Sequence, residues 1–167
     1  MSDTVRITRI ERDRLDELAP LWKALQKHHI EIGSHLGEMR TAEESWGIRR
    51  KDYAEKFDNE DVFVLVAECD DRAVGYAFVK NRGKSSSYRI PEPTAELKTL
   101  SVLPEYRGHG IGDLLMREVF RRLRKRGITE LAIGVVATNE GATRFYERYG
   151  FHQRYITMWG SIPPQDS

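Results

Sequence analysis

Disulfide bonding is the first resource this chain is without. One cysteine, Cys69, stands among 167 residues, so no intrachain bridge forms, and neither a stapled secreted scaffold nor a cysteine-rich zinc site is available. A cytoplasmic setting is the expectation that follows. Long apolar runs are missing as well: no stretch approaches the roughly 18 residues of a membrane-spanning helix. Met1-Ser2-Asp3-Thr4 lacks the basic-then-apolar pattern of a secretory leader, and the reading is a mature soluble chain with no membrane partner. Charge of one sign is absent too, with 27 Lys and Arg against 26 Asp and Glu. That balance removes any global attraction to nucleic acid or lipid. Internal repeats are lacking, and the length fits a single domain over residues 1–167.

What is present is a strong alternation of elements. Thr4 to Ile10 reads as a strand, and Glu11 to His29 takes helical spacing through Leu15, Leu18, Leu21, Trp22 and Leu25. Residues 32–47 show no period; Ile48 to Phe57 reads as a second helix. Val62 to Ala67 and Ala73 to Lys80 form a hairpin about Asp70-Asp71-Arg72. A loop over 81–93, rich in glycine, serine and proline, precedes a strand at Ala95 to Val102. From Ile111 the apolar residues Leu114, Leu115, Val119 and Leu123 recur every three or four positions, and Gly127 ends the helix. Leu131 to Val136 is a strand, Asn139 caps a short helix ended by Gly150, and Phe151 to Trp159 is a closing strand. The whole reads as an α/β domain on a mixed sheet.

The chemistry concentrates in Arg107-Gly108-His109-Gly110-Ile111-Gly112. Three glycines lie between a strand and a helix, where the backbone turns through dihedrals closed to other residues and presents N–H groups beside a helix N-terminus. This is a cradle for phosphate. A dinucleotide fingerprint from Gly108 requires glycine where Asp113 stands, and a P-loop fails at the same place.

The pattern R-x-x-G-x-G over 107–112 instead resembles the pyrophosphate-binding signature of the GNAT acetyltransferase superfamily. Asn139 to Phe151 resembles that family's N-x-x-A-x-x-x-Y-x-x-x-G-F, in the right order after the first motif. The resemblance covers 95–159 strongly, as an acetyl-coenzyme A core, and leaves 1–61 as a variable segment on the acceptor side. It implies a single-domain GNAT fold: a mixed, mostly antiparallel sheet of about six to seven strands with about four helices. Acetyl-CoA is the implied cosubstrate and no metal is called for. The implied binding set is Leu100, Val102, Arg107, Gly108, His109, Gly110, Ile111, Gly112, Asn139, Ala142 and Tyr146.

An amine attacking a thioester must first lose a proton, and at a pKa of about 10.4 only roughly one molecule in 10³ to 10⁴ is free base at neutral pH. The site therefore needs a proton route, oxyanion donors and an acid for the departing thiolate. Tyr146 sits where the family keeps that acid, and Glu96 where several members keep a base acting through water. The family also implies a bulge near Ser101 and Val102 that frees the Val102 amide as oxyanion donor. Asp113 is expected to point away from the pyrophosphate.

Residues 31–61 hold nine acidic and five basic residues, and residues 105–126 three acidic and seven basic. The first segment is compatible with a cationic acceptor and equally with solvated helix faces. His28, His29 and His35 are poorly spaced for metal, and the basic helix lacks the aromatics of a nucleic-acid surface. Two functions remain open: an N-acetyltransferase acting on a small-molecule or protein amine, homodimeric by family analogy, and an acyl-CoA-binding module without turnover.

Overall fold

The computed structural model describes residues 4–33 and 37–165. Among them a five-stranded sheet takes the order β1(Arg6–Ile10), β2(Val62–Cys69), β3(Arg72–Arg82), β4(Thr94–Val102), β5(Glu130–Ile133), antiparallel except for the parallel β4–β5 pair. The hairpin turns at Asp70 and Asp71, both with positive φ, a conformation aspartate tolerates better than most residues.

Helices cover both faces, which is why every residue of β2 is buried. On one face α1(Ala19–Glu31) and α2(Ala42–Asn59) pack together. Tyr53 of α2 stacks on Phe78 at 4.0 Å, and its hydroxyl meets those of Tyr76 at 3.1 Å and Thr99 at 2.6 Å. On the other face lies α3(Ile111–Lys125), burying Leu115, Met116, Val119 and Leu123. Gly75, next to Tyr76, marks the contact: a Cβ there would lie 3.3 Å from Leu115. A short α4(Glu140–Glu147) runs beside α3.

Four expectations are corrected. The helix expected from Glu11 to His29 is split into a 3₁₀ helix, Arg12–Leu18, and α1, because Pro20 has no N–H and fits only a first turn. Helix α2 begins at Ala42, earlier than Ile48. Its start is a capping box in which the Glu44 amide donates to Thr41 Oγ1 at 3.2 Å and the Thr41 amide to Glu44 Oε2 at 2.9 Å. The sheet has five strands rather than six to seven, because 151–159 takes no regular structure. Tyr155 and Ile156, then Met158 and Trp159, are adjacent apolar pairs that would face opposite sides of a strand, and all four are exposed. Strand β5 stops at Ile133, just before Gly134.

Candidate functional site

The site is built where β4 loses its neighbour. Strand β5 pairs with β4 only over Thr94 to Leu97, so beyond Leu97 the two strands part and one edge of β4 lies open. Against β3 the register carries an extra residue: Leu97 faces Val79 and Thr99 faces Phe78, leaving Lys98 as a bulge. This corrects the expected position. Val102, the anticipated bulge residue and amide donor, sits in regular register opposite Gly75. The pin is the Tyr53–Thr99 bond, which together with Lys98 Nζ, 3.8 Å from Asp52, turns two successive residues toward α2.

Past β4, a 3₁₀ turn at Pro104–Tyr106 leads into the glycine run. Gly108 and Gly110 have φ of 78° and 77°, which a side chain would strain. Gly110 is the N-cap of α3 and supplies no side-chain oxygen, so no cap occupies the first-turn amides of that helix. The cradle is thus physically present, with Ile111 buried beneath it in the core. Gly112 serves packing: a Cβ there would lie 3.3 Å from the Phe145 ring, and its absence lets α4 close on α3. Asp113 faces α4, bonded to the Tyr149 hydroxyl and 3.7 Å from Arg148. Burial, and then this carboxylate, push the Tyr149 phenol up to about 12. Arg107 Nε donates to the Val102 carbonyl at 3.0 Å, and exposed His109 places Nδ1 3.0 Å from the Arg107 carbonyl.

Helix α4 starts where Asn139 Oδ1 accepts from the Ala142 amide at 3.1 Å. Tyr146 is 9% exposed, its ring edge-on to Phe145 and Phe151, and among the described residues its hydroxyl makes no hydrogen bond. Burial raises its pKa above the ordinary 10, which keeps it a proton donor. Leu100 and Val102 are half-buried on β4. Glu96 Oε2 lies 3.9 Å from Lys80, which is also 3.6 Å from Glu60. Among the described residues no hydrogen bond or ion pair links Glu96 to Tyr146 or to the glycine run.

Sequence patterns passed over one feature on the other face. A cavity of about 370 Å³ is lined by Trp22, Arg40, Ser45, Ile48, Arg49, Asp52 and Lys98. Its residues come from α1, the 40s segment, α2 and β4, so no local motif announces it. Of the acidic residues in 31–61, only Asp52 lines it among the described residues: Glu43 pairs with Lys23, Glu44 caps α2, Glu55 meets Lys51 and Asp58 meets Arg12. No three His, Cys, Asp or Glu gather as a metal site among the described residues, and no helix there is long and apolar enough to cross a membrane. His35 lies outside the described residues.

Known proteins share the family pattern and the fold. The model of the acetyltransferase (GNAT) family matches residues 23–151. Mycothiol acetyltransferase of Nocardiopsis dassonvillei is 30% identical over 110 residues, covering 64% of this chain and 32% of that protein. [Ribosomal protein bS18]-alanine N-acetyltransferase of Escherichia coli K12 is 30% identical over 89 residues, 52% of this chain and 60% of that one. Aminoglycoside N-acetyltransferase AAC(6')-Iy, solved in complex with CoA, superposes with a TM-score of 0.71 at 17% identity over 97% of both chains, a likeness of fold. The chain spans about a third of the length of the curated relatives it first matches. With the family model spanning β4, the glycine run, α3 and α4 together, the chain belongs to the acetyltransferase (GNAT) family.

Proposed function

We propose that this protein is an N-acetyltransferase that moves an acetyl group from acetyl-CoA to a primary amine by direct attack in a ternary complex. One observation carries the reading: the open edge of β4 runs into an uncapped helix N-terminus, and a buried tyrosine whose hydroxyl has no hydrogen bond among the described residues lies on the helix packed beside it. The amides at Gly108 to Gly112 would hold the pyrophosphate, with Arg107 and His109 beside them. Leu100, Val102, Asn139 and Ala142 would flank the pantetheine arm.

The neutral amine adds to the thioester carbonyl, the C–S bond breaks, and Tyr146 gives its proton to the departing thiolate while the amine's proton leaves through water toward Glu96. A backbone N–H on the open β4 edge would receive the developing oxyanion. Relatives acting on mycothiol, on a ribosomal-protein alanine and on aminoglycosides, by their names, support an amine acceptor without choosing among them.

We place it in the cytoplasm as a single domain over 1–167 and as a homodimer, with no nucleic acid or membrane partner. The dimer is supported by Tyr155, Ile156, Met158, Trp159 and Ile162, all exposed in a segment without regular structure. Thiol release from acetyl-CoA over a panel of amines tests the reading, with calorimetric binding of CoA to the wild type and to Gly110→Asp alongside. Turnover, together with loss of CoA binding in the variant, is the expected result. CoA binding without turnover on any acceptor favours a binding module.

A further inference from the structure

The cavity between the two N-terminal helices and β4 holds an unbalanced charge. Among the described residues Asp52 is the one carboxylate in its lining, and three cations converge on it: Lys56, bonded directly, Arg49 at 3.5 Å and Lys98 at 3.8 Å. Arg40 adds a fourth cation at the rim and makes no ion pair among the described residues. Glu44, whose carboxylate feels Arg40, is committed to the Thr41 cap, and Glu38 faces only the adjoining trough.

These cations are positioned groups. Trp22 is fixed by its indole N–H donating to Ser45 Oγ at 2.9 Å, and the Arg49 guanidinium lies over that ring at 4.1 Å. The stack holds the fork of Arg49 at the cavity wall. Lys98 is the bulge residue of β4, half-buried and two positions before Leu100, so it sits at the end of the cavity that borders the reaction strand. Excess positive charge in a half-enclosed site is unfavourable unless an anion completes it.

We infer that the acceptor is a small amine that also carries an anionic group, a carboxylate or phosphate, bound by Arg40, Arg49 and Lys98. This rests on the acetyl-transfer reading and narrows it. Anion and amine occupy separate parts of the site: the anion sits against the α2 cations, and the amine reaches toward the open edge of β4. The volume of about 370 Å³ suits a molecule of amino-acid or amino-sugar phosphate size. The adjoining trough of about 290 Å³, sharing Trp22, Arg40 and Ser45, admits a longer substituent. Polyamines and aminoglycosides, cationic throughout, are disfavoured by the same charges.

The test compares acetyl transfer to glutamate and glucosamine 6-phosphate, which separate carboxylate from phosphate, with phosphoserine, which carries both, and with spermidine and kanamycin. Wild type, Arg49→Gln and Lys98→Met are assayed, with Arg50→Gln, a surface partner of Asp16, as control. An anionic amine is expected to lead the panel. Either cavity variant is expected to raise KM for it by roughly 10- to 100-fold, the usual scale for losing a charged hydrogen bond, with kcat held within about threefold and the control unchanged. Higher kcat/KM for spermidine or kanamycin, or KM unaffected by both variants, overturns the inference while leaving acetyl transfer intact. If no acceptor turns over, calorimetric titration of the anionic amines decides: binding weakened in Arg49→Gln supports the site, and absence of binding overturns it. Failure to bind acetyl-CoA in parallel marks failure of the acetyl-transfer reading instead.

Discussion

Tyr146 shows how one residue carries two demands. Its ring belongs to the aromatic cluster with Phe145 and Phe151, yet its hydroxyl stays without a protein hydrogen bond among the described residues. A buried phenol with its pKa raised remains protonated at high pH, so it donates a proton and does not compete for one. Tyr146→Phe is expected to lower kcat by about 10²-fold with acetyl-CoA binding kept. Because burial shifts titration upward, wild-type kcat measured across pH 7 to about 10 should show no loss attributable to this group. Steady-state kinetics with separate CoA calorimetry checks both; unchanged kcat in the variant removes Tyr146 from the mechanism.

At the scale of elements, the close contacts between strands and helices decide the geometry. Gly75 lies where β3, β4 and α3 meet, and an added Cβ would come within 3.0 Å of the Ser101 carbonyl and 3.3 Å of Leu115 and Val102. A backbone carbonyl in a paired strand cannot move aside cheaply. Gly75→Ala is expected to cost about 1 to 3 kcal/mol, lowering Tm by roughly 2 to 4 °C per kcal/mol in thermal unfolding followed by circular dichroism. A Tm equal to wild type would mean that β4 yields easily, and the bulge at Lys98 would then lose its support.

For the whole molecule, acid lability is written in a buried carboxylate. Glu68 is 7% exposed and accepts from Arg6 at 3.1 and 2.9 Å, Thr8 at 3.0 Å and Arg14 at 2.7 Å, tying β1, β2 and the first 3₁₀ helix together. The Arg14 hydrogen bond, outweighing desolvation with help from Arg6 and Thr8, holds its pKa below the ordinary 4.5. A depressed folded pKa gives stability that is fully present above the unfolded value and lost as pH falls through the folded one. Calorimetric Tm is therefore expected to fall below about pH 4.5, and Glu68→Gln to be less stable at pH 7 with a flatter acid limb. The exposed apolar segment after α4 belongs to this scale as well. Sedimentation velocity is expected to show a dimer that Trp159→Ser weakens, whereas a wild-type monomer would refute the pairing.

The sequence by itself determined the elements whose signals are local. Leu114 to Leu123 marked α3, Gly108 and Gly110 marked the positive-φ turn, and Asn139 marked the cap of α4, because each depends on residues within a turn or two of one another. Tertiary structure alone decided what depends on distant neighbours. The bulge at Lys98 follows from pairing with β3 and from the Tyr53–Thr99 bond, Gly112 proves to be a packing residue against Phe145, and 151–159 lacks a partner strand. The cationic cavity is the fullest case. Arg40, Arg49 and Lys98 are spread over the first hundred residues, and only the docking of two helices on the sheet places their charges around one cavity, since electrostatic interaction depends on separation in space and not along the chain.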